Sequence, residues 1–113
     1  MTPILMLGEG RMGGALVEGW RRVGAFAAAE LILRDPYPTD TARAVEADGA
    51  RLNPPDAALA EAKTVILAVK PQIWRETAAE VAHLLAPDAL IVSVCAGVRA
   101  DDIGQAFGGR RVA

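Results

Sequence analysis

The sequence predicts an α/β fold in which a mainly parallel sheet is covered by helices on both faces. Short apolar runs alternate with amphipathic helical patterns along the whole chain, which is typical of parallel strands joined by helical crossovers. The runs at residues 64–69 and 89–95 are apolar without alternation, as expected of strands buried on both faces. A length of 113 residues with 52% hydrophobic content predicts one domain, residues 1–113, with a modest core.

Composition and charge exclude several classes of function. No apolar run approaches the about 20 residues of a membrane helix, and no basic segment precedes an apolar one at the N-terminus, so we expect a cytoplasmic protein without membrane contact. A net charge of −2 and few aromatic residues give no general attraction for nucleic acid. The single cysteine, Cys95, is expected to be a small buried hydrophobe, and His83 has no partner for a metal site nearby in the sequence. No metal is predicted.

Glycine and proline separate the predicted elements at short intervals. Strands are predicted at residues 3–7, 30–35, 51–53, 64–69 and 89–95, with the opening of another at 110–113. Helices are predicted at 11–23, from a cap at Thr39 or Asp40 to about 48, from 54–56 onward with Leu59 inward, at 72–85 and at 101–107, with a turn at 108–109.

Apolar periodicity predicts the inward faces of the two longer helices. The inward residues predicted for the helix at 11–23 are Met12, Ala15, Leu16, Gly19, Trp20 and Val23. Those predicted for the helix at 72–85 are Ile73, Trp74, Thr77, Val81, Leu84 and Leu85. Gly19 is expected to let the first helix lie close to the sheet, and Gly24 to end it.

A glycine turn joins the first strand to the first helix. Gly8, Gly10 and Gly13 have the G-x-G-x-x-G spacing, in which the first glycine permits a tight bend, the second admits a pyrophosphate and the third lets the helix approach its strand. The helix N-terminus adds unpaired N–H groups that suit phosphate oxygens. The turn therefore predicts a Rossmann-like, doubly wound sheet that binds a dinucleotide. A plain strand–turn–helix connection is the alternative.

Two charged residues close the second strand, where a dinucleotide fold contacts the adenosine ribose. An acidic residue such as Asp35 accepts hydrogen bonds from the ribose hydroxyls and favours NAD, whereas an arginine such as Arg34 can pair with the extra phosphate of NADP. Both stand here, so the sequence leaves NAD(H) and NADP(H) open. A charge pair in solvent is the alternative.

Lys70 follows the strand at residues 64–69 and precedes Pro71, which suits the first turn of a helix. The carboxyl end of a parallel strand borders the crevice where such folds bind ligands. Lys70 is therefore a candidate for contact with cofactor oxygens or a substrate carboxylate. Its alternative is a surface lysine.

Three segments in order resemble the N-terminal domain of pyrroline-5-carboxylate reductase: the glycine turn, the A-V-K-P-Q element at residues 68–72 and the S-V-C-A-G-V strand end at 93–98. The resemblance covers nearly the whole chain. It implies reduction of a small cyclic imine to proline with NADPH or NADH, in proline biosynthesis. It also implies that the glycine turn contacts the pyrophosphate, that the second strand end reads the ribose, and that the ends of the next two strands border the nicotinamide. The implied cofactor-binding residues are Leu7, Gly8, Glu9, Gly10, Arg11, Met12, Gly13, Arg34, Asp35, Val69, Lys70, Pro71, Ala96 and Gly97. No catalytic residue is assigned.

The sequence departs from the resemblance at several positions. Glu9 stands where the family often has glycine, Arg11 where it commonly has an amide, and Pro36 where many members have an arginine or small polar residue. The family also continues into a helical C-terminal domain for dimerisation and substrate contact, which is absent here. We therefore expect a fragment that binds the dinucleotide without useful catalysis and forms a homo-oligomer only with that domain.

Two alternatives remain. One is the N-domain of another reductase, like the F420-dependent NADP oxidoreductases or the 3-hydroxyacid dehydrogenases. The other is a nucleotide-binding module without catalysis.

Overall fold

A computed structural model describes residues 2–8, 11–25, 27–94 and 97–113, with only the backbone described at Arg11 and Met12. The strands are β1 (Ile4–Leu7), β2 (Leu31–Arg34), β3 (Arg51–Leu52), β4 (Thr64–Leu67) and β5 (Leu90–Ser93). The α-helices are α1 (Arg11–Val23), α2 (Asp40–Ala47), α3 (Trp74–Val81) and α4 (Ala100–Ala106). Short 3-10 turns occupy Ala28–Glu30, Asp56–Glu61, Pro71–Ile73 and Ala82–Leu84.

The five strands form one parallel sheet in the order β3-β2-β1-β4-β5. The chain runs from β1 outward to β3, then returns to the other side of β1 with β4 and β5. Val112 adds a parallel bridge beside Ile91, which confirms the predicted opening of one more strand at the end of the chain. The observed architecture confirms the predicted Rossmann-like α/β fold.

Side chains of the sheet alternate between two apolar layers, because successive residues of a strand point to opposite faces. On one face, Met6 and Leu33 pack with Val17 of α1 and Val45 of α2. On the other face, a second set packs with α3, α4 and the 3-10 turns: Leu5, Leu7, Ile32, Val65, Leu67, Ile91, Trp74, Val81, Ile103 and Phe107. All the helices therefore cover the sheet, as the apolar strands require.

Helix α1 has the predicted bounds, but part of its predicted inward face is wrong. Gly13 and Val17 are buried and Leu16 and Trp20 are half-buried, whereas Ala15, Gly19 and Val23 are exposed. A Cβ at Gly19 would meet no atom within 4 Å, so this glycine does not bring the helix close to the sheet. Ala and Gly fit several helical phases, and the sheet contact follows the i, i+4, i+7 line through Gly13, Val17 and Trp20.

The end of α1 confirms the role predicted for Gly24. Its φ is +63°, and the next residue, Ala25, donates its N–H to the carbonyl of Trp20 at 3.2 Å. This is the hydrogen bond of a glycine-terminated helix.

The predicted helix at residues 72–85 is shorter and interrupted. Pro71–Ile73 and Ala82–Leu84 are 3-10 turns on either side of α3. Ile73 is 41% exposed instead of inward, because the tighter turn after Pro71 gives it another phase than α3. Ala78, which the prediction did not include, is fully buried.

The remaining predictions hold with bounds that differ by one to three residues. Thr39 caps α2 by accepting the N–H of Ala42, Leu59 is buried, and Gly108 and Gly109 turn with positive φ. The strand predicted at 89–95 ends at Ser93, and Cys95 lies outside the described residues. In the described part of the chain, no helix is long and apolar enough to cross a membrane.

Candidate functional site

The carboxyl ends of four strands meet along one edge of the sheet. Leu7, the last residue of β1, pairs with Arg34 on one side and with Leu67 on the other, and Leu67 pairs with Ser93. The strand order changes direction at β1, because β2 lies on one side of it and β4 on the other. Open α/β sheets bind ligands outside the carboxyl ends of their strands at this switch point.

Gly8 lies at the switch point directly after the buried Leu7. Its φ is +73°, and its N–H donates to the carbonyl of Arg34 at 2.9 Å. A Cβ here would lie 2.6 Å from Val69 Cγ1 and 3.1 Å from its Cα. Backbone conformation and available space both require glycine, so β1 and the end of β4 approach closely at this bend.

The rest of the predicted glycine turn is described in part. Glu9 and Gly10 lie outside the described residues, and the side chains of Arg11 and Met12 are likewise not described. Helix α1 begins at Arg11, and Gly13 is buried in its first turn. The bend at Gly8 is therefore followed within three residues by the N-terminus of a 13-residue helix, the end of a helix that attracts anions.

Asp35 is held by an asparagine that the sequence analysis did not single out. The N–H of Asp35 donates to Asn53 Oδ1 and the Asn53 amide nitrogen donates to the carbonyl of Asp35, both at 2.8 Å. The N–H of Tyr37 donates to Asp35 Oδ1 at 2.8 Å. Asn53 follows β3 with a φ of +48°, a conformation that asparagine tolerates. Its place in the run Asn-Pro-Pro was the available signal of a turn.

Arg34 is paired within the protein. Its guanidinium donates to Asp56 Oδ1 at 2.9 Å and lies 3.8 Å from Glu80 Oε2, and its side chain is 28% exposed. Both partners come from later segments of the chain. Neither Asp56 nor Glu80 was signalled by the sequence, because both contacts are long-range.

The segment after β4 brings its predicted residues to the same edge. The N–H of Ala68 donates to the carbonyl of Leu7 at 2.9 Å, which continues the strand pairing, and Val69 is half-buried against Gly8. Lys70 is exposed and has no ion pair within 4 Å among the described residues. Pro71 begins the 3-10 turn, as predicted for a helix-starting proline.

The segment after β5 is described from Gly97 onward, and Ala96 lies outside the described residues. The N–H of Val94 donates to the carbonyl of Leu67 at 3.0 Å, so this segment leaves the sheet beside the end of β4. Gly97 has a φ of +76°, and a Cβ there would meet no atom within 4 Å. The described candidates therefore follow the ends of β1, β2, β4 and β5 on one edge.

The remaining candidates for chemistry are His83 and the pair of acidic residues at the start of α4. His83 is exposed, and within the described ranges no group of three or more His, Cys, Asp or Glu residues could hold a metal ion. Asp101 and Asp102 lie in the first turn of α4, where their negative charges interact favourably with the helix dipole.

Comparison with known proteins identifies the family. Residues 3–97 match the family model of the coenzyme F420-dependent NADP oxidoreductases. The chain belongs to this family. It is also related to pyrroline-5-carboxylate reductases: 28% identical over 106 residues to the enzyme of Pisum sativum and 34% over 99 residues to that of Pseudomonas aeruginosa. The structure of a pyrroline-5-carboxylate reductase from Coxiella burnetii shares the fold, with a TM-score of 0.82 at 24% identity over 98% of this chain and 42% of that one.

These matches make the chain an NAD(P)-binding domain of the dehydrogenase and reductase type. It spans 38% and 36% of the length of the two curated relatives, which it matches over 93% and 86% of its own length. The described edge fits a dinucleotide in its chemistry, because it combines the glycine bend, a helix N-terminus, an exposed lysine at Lys70 and open space at Gly97.

Proposed function

We propose that this chain binds NADH or NADPH along the carboxyl edge of its sheet and supplies the cofactor-binding part of a pyrroline-5-carboxylate reductase. The bend at Gly8 is the observation that carries the proposal. It lies between the ends of β2 and β4, has a φ of +73° and leads into the N-terminus of α1. Backbone N–H groups at such a helix start bind phosphate without cationic side chains, which suits a protein with a net charge of −2.

The proposed roles follow the order of the strand ends. Residues of the turn from Leu7 to Gly13 bind the pyrophosphate, Asp35 accepts hydrogen bonds from the adenosine ribose, and Lys70 attracts cofactor or substrate oxygens. Val69, Pro71, Ala96 and Gly97 border the nicotinamide. The bound cofactor supplies the hydride, and this chain holds and orients it.

The imine substrate is part of the proposal because of the relatives, which are more than twice as long as this chain. Hydride transfer requires both reactants to be held in one geometry. We expect the 113-residue chain to bind the dinucleotide and to leave pyrroline-5-carboxylate unreduced. Reduction of the imine by this chain would contradict that expectation.

The family match favours a second candidate, hydride exchange between NADP and coenzyme F420. Both candidates share the dinucleotide site and differ in the second reactant. Assays of the longest protein that contains this sequence, with pyrroline-5-carboxylate and with reduced F420, would separate them.

The first experiment is calorimetric titration of the chain with NADH and with NADPH. We expect saturable one-to-one binding of at least one dinucleotide, and adenosine alone serves as the weaker control ligand because it lacks the pyrophosphate. If neither dinucleotide binds to the folded chain, the proposed function is wrong.

A further inference from the structure

We infer that Asp56 and Glu80 are positioning residues for cofactor choice: they hold Arg34 in ion pairs within the chain and thereby make the chain prefer NADH to NADPH. The inference rests on the proposed dinucleotide binding. It concerns the 2′ position of the adenosine ribose, where NADP carries a phosphate and NAD a hydroxyl. Neither acidic residue is proposed to contact the cofactor.

The contacts of Arg34 direct its guanidinium toward the protein. Arg34 ends β2 on the same face as Ile32, the face covered by α3 and the 3-10 turn at Asp56–Glu61. On that face it is bound by Asp56 at 2.9 Å and approached by Glu80 at 3.8 Å. An ion pair with two carboxylates competes directly with a phosphate for the donors of one guanidinium.

No other cation lies near this position in the sequence. Arg34 is the sole lysine or arginine between residues 31 and 42, and Pro36 and Tyr37 follow Asp35. Recognition of the NADP phosphate at a strand end uses an arginine. With Arg34 already paired, the described side chains of residues 31–42 offer the phosphate no free cation.

Asp35 contributes a negative charge at the same strand end. Asn53 fixes its backbone with two hydrogen bonds of 2.8 Å, and Tyr37 N–H binds its Oδ1. An ionised carboxylate only accepts hydrogen bonds, so it suits the ribose hydroxyls of NAD and repels the phosphate of NADP. Two features therefore favour NADH. Asp35 provides a hydrogen-bond acceptor for the ribose hydroxyls, and Arg34 is held away from the position of the NADP phosphate.

The experiment measures the dissociation constants of NADH and NADPH for the intact chain and its variants by calorimetry. For the unaltered chain we expect NADH to bind about tenfold more tightly or better, the ratio of one charge-assisted contact. In the double variant D56N/E80Q, Arg34 is released, and we expect NADPH affinity to rise about five- to tenfold while NADH affinity changes less than about twofold. Adding R34M to the double variant should remove the gain.

E61Q is the matched control, since it disrupts a comparable exposed ion pair, Arg51–Glu61 at 2.9 Å, away from this strand end. It should leave both dissociation constants unchanged. The single variant R34M gives an independent test that needs no released arginine. If Arg34 is withdrawn, R34M leaves NADPH affinity as it was.

Three outcomes overturn the inference while leaving the proposed function intact: NADPH binding at least as tightly as NADH, an unchanged affinity ratio in D56N/E80Q, or weaker NADPH binding in R34M. Absence of binding for both dinucleotides contradicts the proposed function itself, and the inference falls with it. Circular dichroism of each variant establishes that the compared proteins are folded.

Discussion

The two ends of the sheet differ in how they use their polar groups. At the carboxyl end, Lys70 and Gly97 are exposed beside the half-buried bend at Gly8. At the amino end, arginines are bound by other parts of the protein: Arg21 donates to Asp48 at 3.0 Å, and Arg110 donates to three carbonyls. The arginines at the amino end therefore connect segments of the fold, whereas Lys70 at the carboxyl end has no ion pair among the described residues.

The amino end also carries a cleft. A cleft of about 420 Å³ opens at the amino end between α1 and α2, and its lining includes Val17, Trp20, Arg21, Leu31 and Asp48. The hydrogen bond that Arg21 donates to Asp48 raises the pKa of the Arg21 guanidinium. The comparison teaches that the proposed site at the carboxyl end is recognised by its backbone geometry and not by a cavity.

The largest expected effect comes from Gly8→Ala, at the carboxyl end. The new Cβ would meet Val69 Cγ1 at 2.6 Å in a conformation with φ of +73°. Strain and overpacking should each contribute, so we expect a loss of about 2–4 kcal/mol in the free energy of unfolding, measured with urea. NADH affinity should fall at least about tenfold, measured by titration.

Gly24→Ala is the control at the opposite end of α1. Its φ is +63°, but a Cβ there would meet no atom within 4 Å, so only the backbone strain remains. We expect a loss of about 1–2 kcal/mol in the free energy of unfolding and no change in NADH affinity. Equal losses of affinity in both variants would show that Gly8 has no special relation to the cofactor.

Arg110→Ala should give the next largest effect, at the amino end. The guanidinium donates to the carbonyls of Leu85, Ala86 and Phe107 at 3.0, 2.9 and 2.8 Å, so it joins the segment before β5 to the end of α4. We expect a loss of about 2–3 kcal/mol in the free energy of unfolding by urea, since three charge-assisted bonds are lost in a partly buried position. NADH affinity at the other end should stay within about twofold of the original.

Its neighbour provides the control. Arg111 is exposed and contributes its backbone carbonyl, which accepts the N–H of Ile91 at 2.9 Å. Arg111→Ala should therefore change the free energy of unfolding by less than about 0.5 kcal/mol. A similar loss in both variants would indicate a general effect of charge instead of the three hydrogen bonds.

The two ends also differ in what the sequence could predict. The carboxyl edge was predictable because its signals are local: a glycine turn, a proline after Lys70 and the ends of apolar runs. The long-range side-chain contacts were not predictable. Arg110 lies 24 and 25 residues from its carbonyl partners in the preceding segment, and Arg34 lies 22 residues from Asp56. Local pattern predicts where a strand ends, and only the folded chain shows which side chains reach each other.

The phase of α1 shows a different limit. Its bounds were predicted correctly, because Gly24 ends the helix and the glycine turn precedes it. Its inward face was partly wrong, because small residues at Ala15 and Gly19 fit the periodic pattern without requiring burial. Gly13 and Val17 are buried because this side of the helix contacts the sheet, and the periodicity of the sequence alone does not predict that contact.

A smaller effect is expected from Lys70→Met, and here β4 supplies its own control. Lys63 and Lys70, the two lysines of the chain, stand before and after this strand, and both are exposed. Lys70→Met should weaken NADH binding about three- to tenfold, with a difference that shrinks at high salt, because the lysine acts through its charge. Lys63→Met, at the amino end, should leave NADH affinity unchanged in the same titrations. If Lys70→Met also leaves it unchanged, Lys70 is a surface lysine.

The smallest effect concerns the amino end alone and depends on pH. The hydrogen bond from Arg51 lowers the pKa of Glu61, so the folded state binds this proton less tightly than the unfolded state. The pair therefore stabilises the fold above the ordinary glutamate pKa, and this contribution is lost as the pH falls through the lowered value. Between neutral pH and about pH 3, the melting temperature of Glu61→Gln should fall less steeply than that of the unaltered chain, and the two curves should approach each other in acid.

Glu46→Gln removes an exposed carboxylate that has no ion pair among the described residues, and it should follow the unaltered curve. Parallel curves for Glu61→Gln and the unaltered chain would mean that the Arg51 pair contributes nothing in solution, as is common for exposed ion pairs.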